Sequence, residues 1–231
     1  TPAVDALFID VGYPKEQAQK RFAPGDRVIF DTGFCPLAGE LAASRSLDNR
    51  AGCLAILLAL EGLNNRRRAM EEDVLEKIGL YTLFSSQEEV GLRGAVTGAF
   101  GIKADEAVIV DVGHGDTRGV AEHLTRPLGS GAAIGIAPML KRATSRTLID
   151  LAKEEEIPYT VEVMTGATGT NASSIAIAGA GVASALISIP LRYMHTPNEV
   201  VCMTDIAAVA DLLCAYLIKR AKQLREGARH V

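Results

Sequence analysis

Glu88 and Glu89 stand side by side in Leu80-Tyr-Thr-Leu-Phe-Ser-Ser-Gln-Glu88-Glu89-Val-Gly91, after a short apolar run and ahead of Gly91 and Gly94. Neighbouring carboxylates at the end of a strand repel each other, so a fold keeps them there only where something offsets the charge. A divalent cation does so, with one carboxylate as its ligand and the other free to hold a proton. Two solvated glutamates on a surface turn are the plain alternative. Three further groups favour the cation: Asp48 in Leu-Asp-Asn-Arg, Asp111 in Val-Asp-Val-Gly, and His195 in Arg-Tyr-Met-His-Thr-Pro. Each acid sits in a strand-exit context, and His195 follows another strand-like run. In open α/β sheets, ligands collect beyond the carboxyl ends of the strands. Four acids and an imidazole at one sheet edge need cations to coexist, and mixed carboxylate and imidazole ligation suits zinc, cobalt or manganese.

The elements that must position these groups alternate between strand and helix. Residues 80–84 have the composition of a strand packed on both faces, and 107–112, 159–163 and 182–189 read as strands too. Helical patterning covers 49–63, 138–156, 172–179 and 204–224, with another helix starting near Gly94. Residues 113–137, 165–170 and 192–199 read as loops, and the charged stretch 64–77 as a solvated helix end and linker. This alternation predicts an α/β layered domain with a largely parallel sheet over 45–231. Ahead of it, 3–34 read as a small unit: a strand at 6–11, a helix at 14–22 and a strand at 27–30. A crossing segment at 31–46 carries the boundary, which gives domains 1–44 and 45–231. The chain opens on Thr1 almost in mid-strand, which predicts a missing upstream part.

Composition narrows the function. With 231 residues and 48% hydrophobic content, the chain has enough apolar material for a sizeable core. A net charge of −4 leaves no basic footprint, which argues against nucleic acid as a partner. Cys35, Cys53, Cys202 and Cys214 show no CxxC spacing and sit in apolar runs. They read as buried thiols of a cytoplasmic protein, with no disulfide framework or zinc knuckle. The apolar run 182–191 is too short to span a bilayer and is broken by Pro190, so no membrane partner is expected.

Four motifs in fixed order resemble the M42 family of dinuclear metallo-aminopeptidases: Ser-Leu-Asp48-Asn-Arg-Ala-Gly, Ser-Ser-Gln-Glu88-Glu89-Val-Gly-Leu-Arg-Gly-Ala, Val-Asp111-Val-Gly, and Ile-Pro-Leu-Arg-Tyr-Met-His195-Thr-Pro-Asn-Glu. The resemblance covers nearly the whole chain. It implies a three-layer zinc-peptidase-like α/β fold, with residues 7–34 similar to the end of the family's inserted PDZ-like dimerisation domain. It implies two divalent metal ions per subunit, zinc or else cobalt or manganese. Asp48, followed by a non-proline cis peptide, would bridge them, Glu89 and His195 would complete one site, and Asp111 would bind the other. Glu88 would be the general base in removing N-terminal residues from short peptides. Self-association, from dimers up to a dodecamer, is implied as well.

The sequence departs from the family pattern in two places. It contains no histidine before His114, so one metal keeps Asp48, Glu89 and His195 while the other has only Asp48 and Asp111. Asn171 stands where the family often carries Asp. His114 lies three residues past Asp111 and could approach the site, whereas His123 reads as a loop residue and His230 as part of a frayed terminus. A glucan hydrolase, a label some relatives carry, needs two carboxyls about 5–9.5 Å apart flanking one bond, one of them raised in pKa. Acids sharing cations do not suit that chemistry. A non-catalytic or single-metal remnant of the peptidase is the remaining alternative.

Overall fold

A computed structural model of the chain describes residues 3–69, 75 and 78–227. Its contacts separate two units, Thr1–Asp31 and Thr32–Val231. In the first, a 3-10 turn (Val4–Ala6) and a short helix α1 (Lys15–Arg21) are the regular elements among the described residues. The Arg21 guanidinium lies 4.6 Å from the centroid of the Tyr13 ring, whose other neighbour is Phe22 at 6.4 Å. The strands expected at 6–11 and 27–30 are not formed. A strand needs ladder partners, which so small a piece does not supply. Leu7, Phe8, Ile9, Val28, Ile29 and Phe30 are therefore exposed.

The second unit starts with two short strands, β1 (Cys35–Pro36) and β2 (Leu41–Ser44), where the sequence reading expects an irregular crossing segment. There follow α2 (Leu47–Ala69), α3 (Arg93–Ile102), β3 (Glu106–His114), β4 (Ala132–Ile136) and α4 (Arg142–Glu154). The chain continues through β5 (Tyr159–Val163), α5 (Asn171–Ile175), β6 (Ala183–Arg192), β7 (Glu199–Cys202) and α6 (Met203–Gly227). All seven strands join one sheet, in the order β1-β2-β7-β6-β4-β5 with β3 alongside β6.

The sheet is mixed, which corrects the largely parallel arrangement expected. Among the strands of the described residues, β3 with β6 and β4 with β5 run parallel; the β1–β2, β2–β7, β4–β6 and β6–β7 pairs are antiparallel. The cause is local. Residues 193–198 are too few for the crossover a parallel neighbour needs, so β7 must return antiparallel to β6. Residues 113–137 also hold a strand, β4, behind their glycines.

Side-chain alternation along β3 and β6 builds a core on each face. Val110, Val112, Ile187 and Ile189 pack with Ala51, Ala55 and Ala59 of α2, Leu148 of α4 and Leu212 of α6. Ile109 and Leu186 meet Ala95 and Ala99 of α3 and Ala172 and Ile175 of α5. The alanines recur every four residues along α2 and so keep its buried stripe narrow.

Residues 80–84 correct another expectation. They form no ladder among the described residues, and Tyr81 and Phe84 are 66% and 52% exposed, so this is not a strand packed on both faces. Its composition suits a sheet, but no strand lies hydrogen-bonded beside it. All four cysteines are free, but Cys35 is exposed, against the expectation that all are buried. In the charged stretch 64–77, α2 extends to Ala69, and Glu71, Glu72 and Asp73 lie outside the described residues, as does His230. No helix among the described residues is long and apolar enough to cross a membrane.

At the start of β3, Glu106 ties the sheet to two helices. It accepts hydrogen bonds from Tyr216 Oη (2.6 Å), Thr144 Oγ1 (2.7 Å) and Arg220 Nε (2.9 Å). Burial pushes its pKa up, but these bonds and the guanidinium charge more than offset that and hold it below the ordinary value. A lowered folded-state pKa adds stability that is present above the unfolded value and lost as pH falls through the folded one. Glu106→Gln should therefore cost about 1–3 kcal/mol at neutral pH. Urea titrations of both proteins should show the gap closing towards acid, and a pH-independent gap would exclude the charge as its source.

Candidate metal and catalytic site

The first turn of α2 departs from helical geometry at Asp48 and Asn49, and the peptide bond between them is cis, as the family resemblance implies. Asn49 fixes this corner to the sheet. Its Nδ2 donates to the Val110 carbonyl (2.9 Å), while its Oδ1 accepts from the Gly52 N–H (3.0 Å). Helical backbone resumes beyond it, so Asn49 caps the regular part of α2.

His195 lies in the β6–β7 loop with φ of +63°, and Tyr193 with φ of +59°. Both are in the left-handed region that non-glycine residues seldom occupy. This turn brings the His195 N–H onto Glu199 Oε1 at 2.9 Å, and Glu199 Oε2 accepts from the Asp48 N–H at 3.0 Å. One carboxylate, 2% exposed, thus locks the backbones of two candidate residues that are far apart in sequence. Sequence reasoning missed Glu199, although it closes the His-Thr-Pro-Asn-Glu motif. Glu199→Gln would turn one acceptor into a donor facing an N–H. It should cost about 1–3 kcal/mol of stability, and about 10–100-fold in affinity for any cation that Asp48 and His195 share. Urea unfolding and zinc titration of the variant would measure the two effects separately.

Asp48, Glu89 and His195 converge, with one ligand atom from each lying within 4.8 Å of the others. His195 Nε2 is 3.2 Å from Asp48 Oδ2 and 3.5 Å from Glu89 Oε2. Asp48 is mostly buried, whereas His195 and Glu89 face solvent, so the cluster opens outward. Asp111 is not one of the three. It sits on β3, 4% exposed, with Oδ1 accepting the Val112 N–H at 2.9 Å. Its buried Oδ2 has no hydrogen-bond partner among the described residues. Glu88 is half-buried in the turn ahead of α3, where its carbonyl accepts from the Gly91 and Leu92 N–H groups.

Electrostatically these acids form one unit. Burial, then Glu89 and Glu199, push Asp48 up to about 6, although His195 opposes the shift. Burial pushes Asp111 up to about 7 against the Val112 N–H, and Asp48, Glu88 and Glu89 push it further. Burial and Glu89 also raise Glu88. Charges this close disfavour one another unless a cation joins them. His114, at the exposed end of β3, is not in the cluster, nor is His123, in an exposed 3-10 turn (Glu122–Leu124).

Comparison with known proteins places this geometry in context. The family model for M42 glutamyl aminopeptidase matches residues 1–212. The Lysyl aminopeptidase of Pyrococcus furiosus is 31% identical over 215 residues, 92% of this chain and 59% of its own length. Among solved structures, an aminopeptidase from the archaeon Desulfurococcus kamchatkensis superposes with a TM-score of 0.80 at 36% identity. The match covers 94% of this chain and 60% of that one. A TET aminopeptidase from a marine sediment thaumarchaeon gives 0.70 at 27% identity over 82% of this chain and 52% of that one. The chain thus spans less than two thirds of the length of these relatives.

Proposed function

The chain belongs to the M42 glutamyl aminopeptidase family, and on that premise we propose that it is a metal-dependent aminopeptidase releasing N-terminal residues from short peptides. The observation that carries this reading is the convergence of Asp48, Glu89 and His195 within 4.8 Å. Their donor set, two carboxylates and an imidazole, fits zinc, cobalt or manganese. These three would hold one divalent cation. Asp111, with its orphaned Oδ2, would join Asp48 as the two groups this chain offers a second cation, one short of a complete set. When bound, such a cation supplies Lewis acidity, drawing electron density from a carbonyl oxygen and making water more acidic.

The chain's own residues would carry the proton. Glu88, beside a ligand but left free by it, accepts the proton that water releases as its oxygen bonds to the scissile carbonyl carbon. When the C–N bond breaks, Glu88 delivers that proton to the departing amine, so base and acid are one group. Its raised pKa suits a group that must take up a proton and give it back.

The same reading extends to a cytoplasmic enzyme that self-associates, from dimers towards a larger closed particle, supported by the exposed Phe8, Val28 and Phe30 of the first unit. A monodisperse monomer in sedimentation would count against the assembly. The activity is tested by incubating zinc- or cobalt-loaded chain with leucyl and lysyl anilides, with and without chelator. Chelator-sensitive release supports the proposal. Equal release from an N-acetylated anilide would show that the free N-terminus is not required, and would overturn it.

A further inference from the structure

Glu162 lies next to the end of β5, opposite Gly135 of β4, and its side chain does not point simply into solvent. Its Oε2 accepts a hydrogen bond from Ser188 Oγ at 2.9 Å, on β6, two strands away. Ser188 is the register partner of Asp111 on β3. A Cβ built on Gly113 would stand 3.1 Å from Glu162 Oε1 and 3.4 Å from Oε2. The carboxylate therefore reaches across β4 to β6 and lies beside Gly113 of β3, where glycine leaves room for it. Residues two apart on a strand share a face and are about 6.6 Å apart. Glu162 thus presents its charge on the Asp111 face, beside Gly113, which lies two residues along β3 from Asp111.

Among the described residues nothing neutralises this charge: no lysine, arginine or histidine pairs with Glu162, and Oε1 accepts no hydrogen bond. The residue is half-buried. A carboxylate taken partly out of water, with one oxygen satisfied by a hydroxyl and the other free, suits a cation that arrives with the ligand. Resting on the aminopeptidase reading, we propose that Glu162 binds a primary ammonium of the substrate. That group is either the N-terminal α-ammonium or the side-chain ammonium of a basic N-terminal residue, and Glu162 thereby sets which peptides are held in register with Glu88.

Non-hydrolysable amino alcohols test this without requiring turnover. Binding of L-leucinol (α-ammonium only), 6-aminohexan-1-ol (distal ammonium only) and 4-methylpentan-1-ol (neither) is measured by titration into zinc-loaded wild-type chain and Glu162→Gln. The glutamine keeps the Ser188 bond through its amide oxygen, so the sheet is retained. At least one amine should bind the wild type about tenfold or more tighter than the plain alcohol, and the substitution should abolish that preference. Loss confined to leucinol assigns the α-ammonium, and loss confined to 6-aminohexan-1-ol assigns a basic side chain. Equal binding of both amines by wild type and Glu162→Gln overturns the proposal. Leucyl anilide cleavage by the wild type is scored separately: cleavage with no Glu162 dependence of binding sinks only this inference, while Glu162-dependent binding without cleavage sinks only the aminopeptidase reading.

Discussion

Glu88→Gln lowers turnover by a factor of about 10² to 10⁴ and leaves cation binding nearly intact. The glutamine preserves size and position but cannot take a proton from water. The site's cations rest on Asp48, Glu89, His195 and Asp111 in this reading, so removing the charge at position 88 leaves every ligand in place. The loss should appear in kcat and kcat/KM alike, because proton transfer belongs to the transition state and not to substrate binding. Undiminished kcat in the variant of an active enzyme would reassign the base. A parallel loss of zinc would make Glu88 a ligand.

Glu89→Ala and His195→Ala have the opposite signature, losing both the cation and the activity. Each removes one of three groups whose ligand atoms lie within 4.8 Å of one another. A two-ligand remnant falls short of the three protein groups that such sites ordinarily use. Elemental analysis after dialysis should find the wild type loaded and both variants depleted. Retention of zinc by His195→Ala would place the site elsewhere.

Asp48, Glu89 and His195 were legible because each sits in a short local motif, and the structure brings these three together. The strand exits expected to position the acids do not do so, since 80–84 forms no strand and Asp111 lies within β3. What sequence could not show depends on partners distant along the chain. Glu199 reads as an ordinary polar residue until the cis corner at Asp48 and the left-handed turn at His195 place two N–H groups on it. Nothing in the local sequence singles out Glu162, and the glycine at 113 and the hydroxyl at 188 show where its carboxylate goes. The fold followed the same rule. Long periodic segments such as α4 and α6 were readable from their apolar spacing. The four-residue β7 and the glycine-masked β4 were not, and with them went the mixed character of the sheet. Residues 80–84 show the converse, since strand-like composition forms no ladder where no partner strand lies alongside.

Calorimetric titration of zinc into the metal-free 231-residue chain tests the central claim most directly. Asp48, Glu89 and His195 make one complete ligand set, while Asp48 and Asp111 alone fall one ligand short of a second. The account predicts one tight zinc per chain, lost in His195→Ala, with a second bound weakly or not at all. Failure to bind tightly, or tight binding that survives His195→Ala, would contradict it; two equally tight sites would refute the ligand count and make His114 the next residue to change.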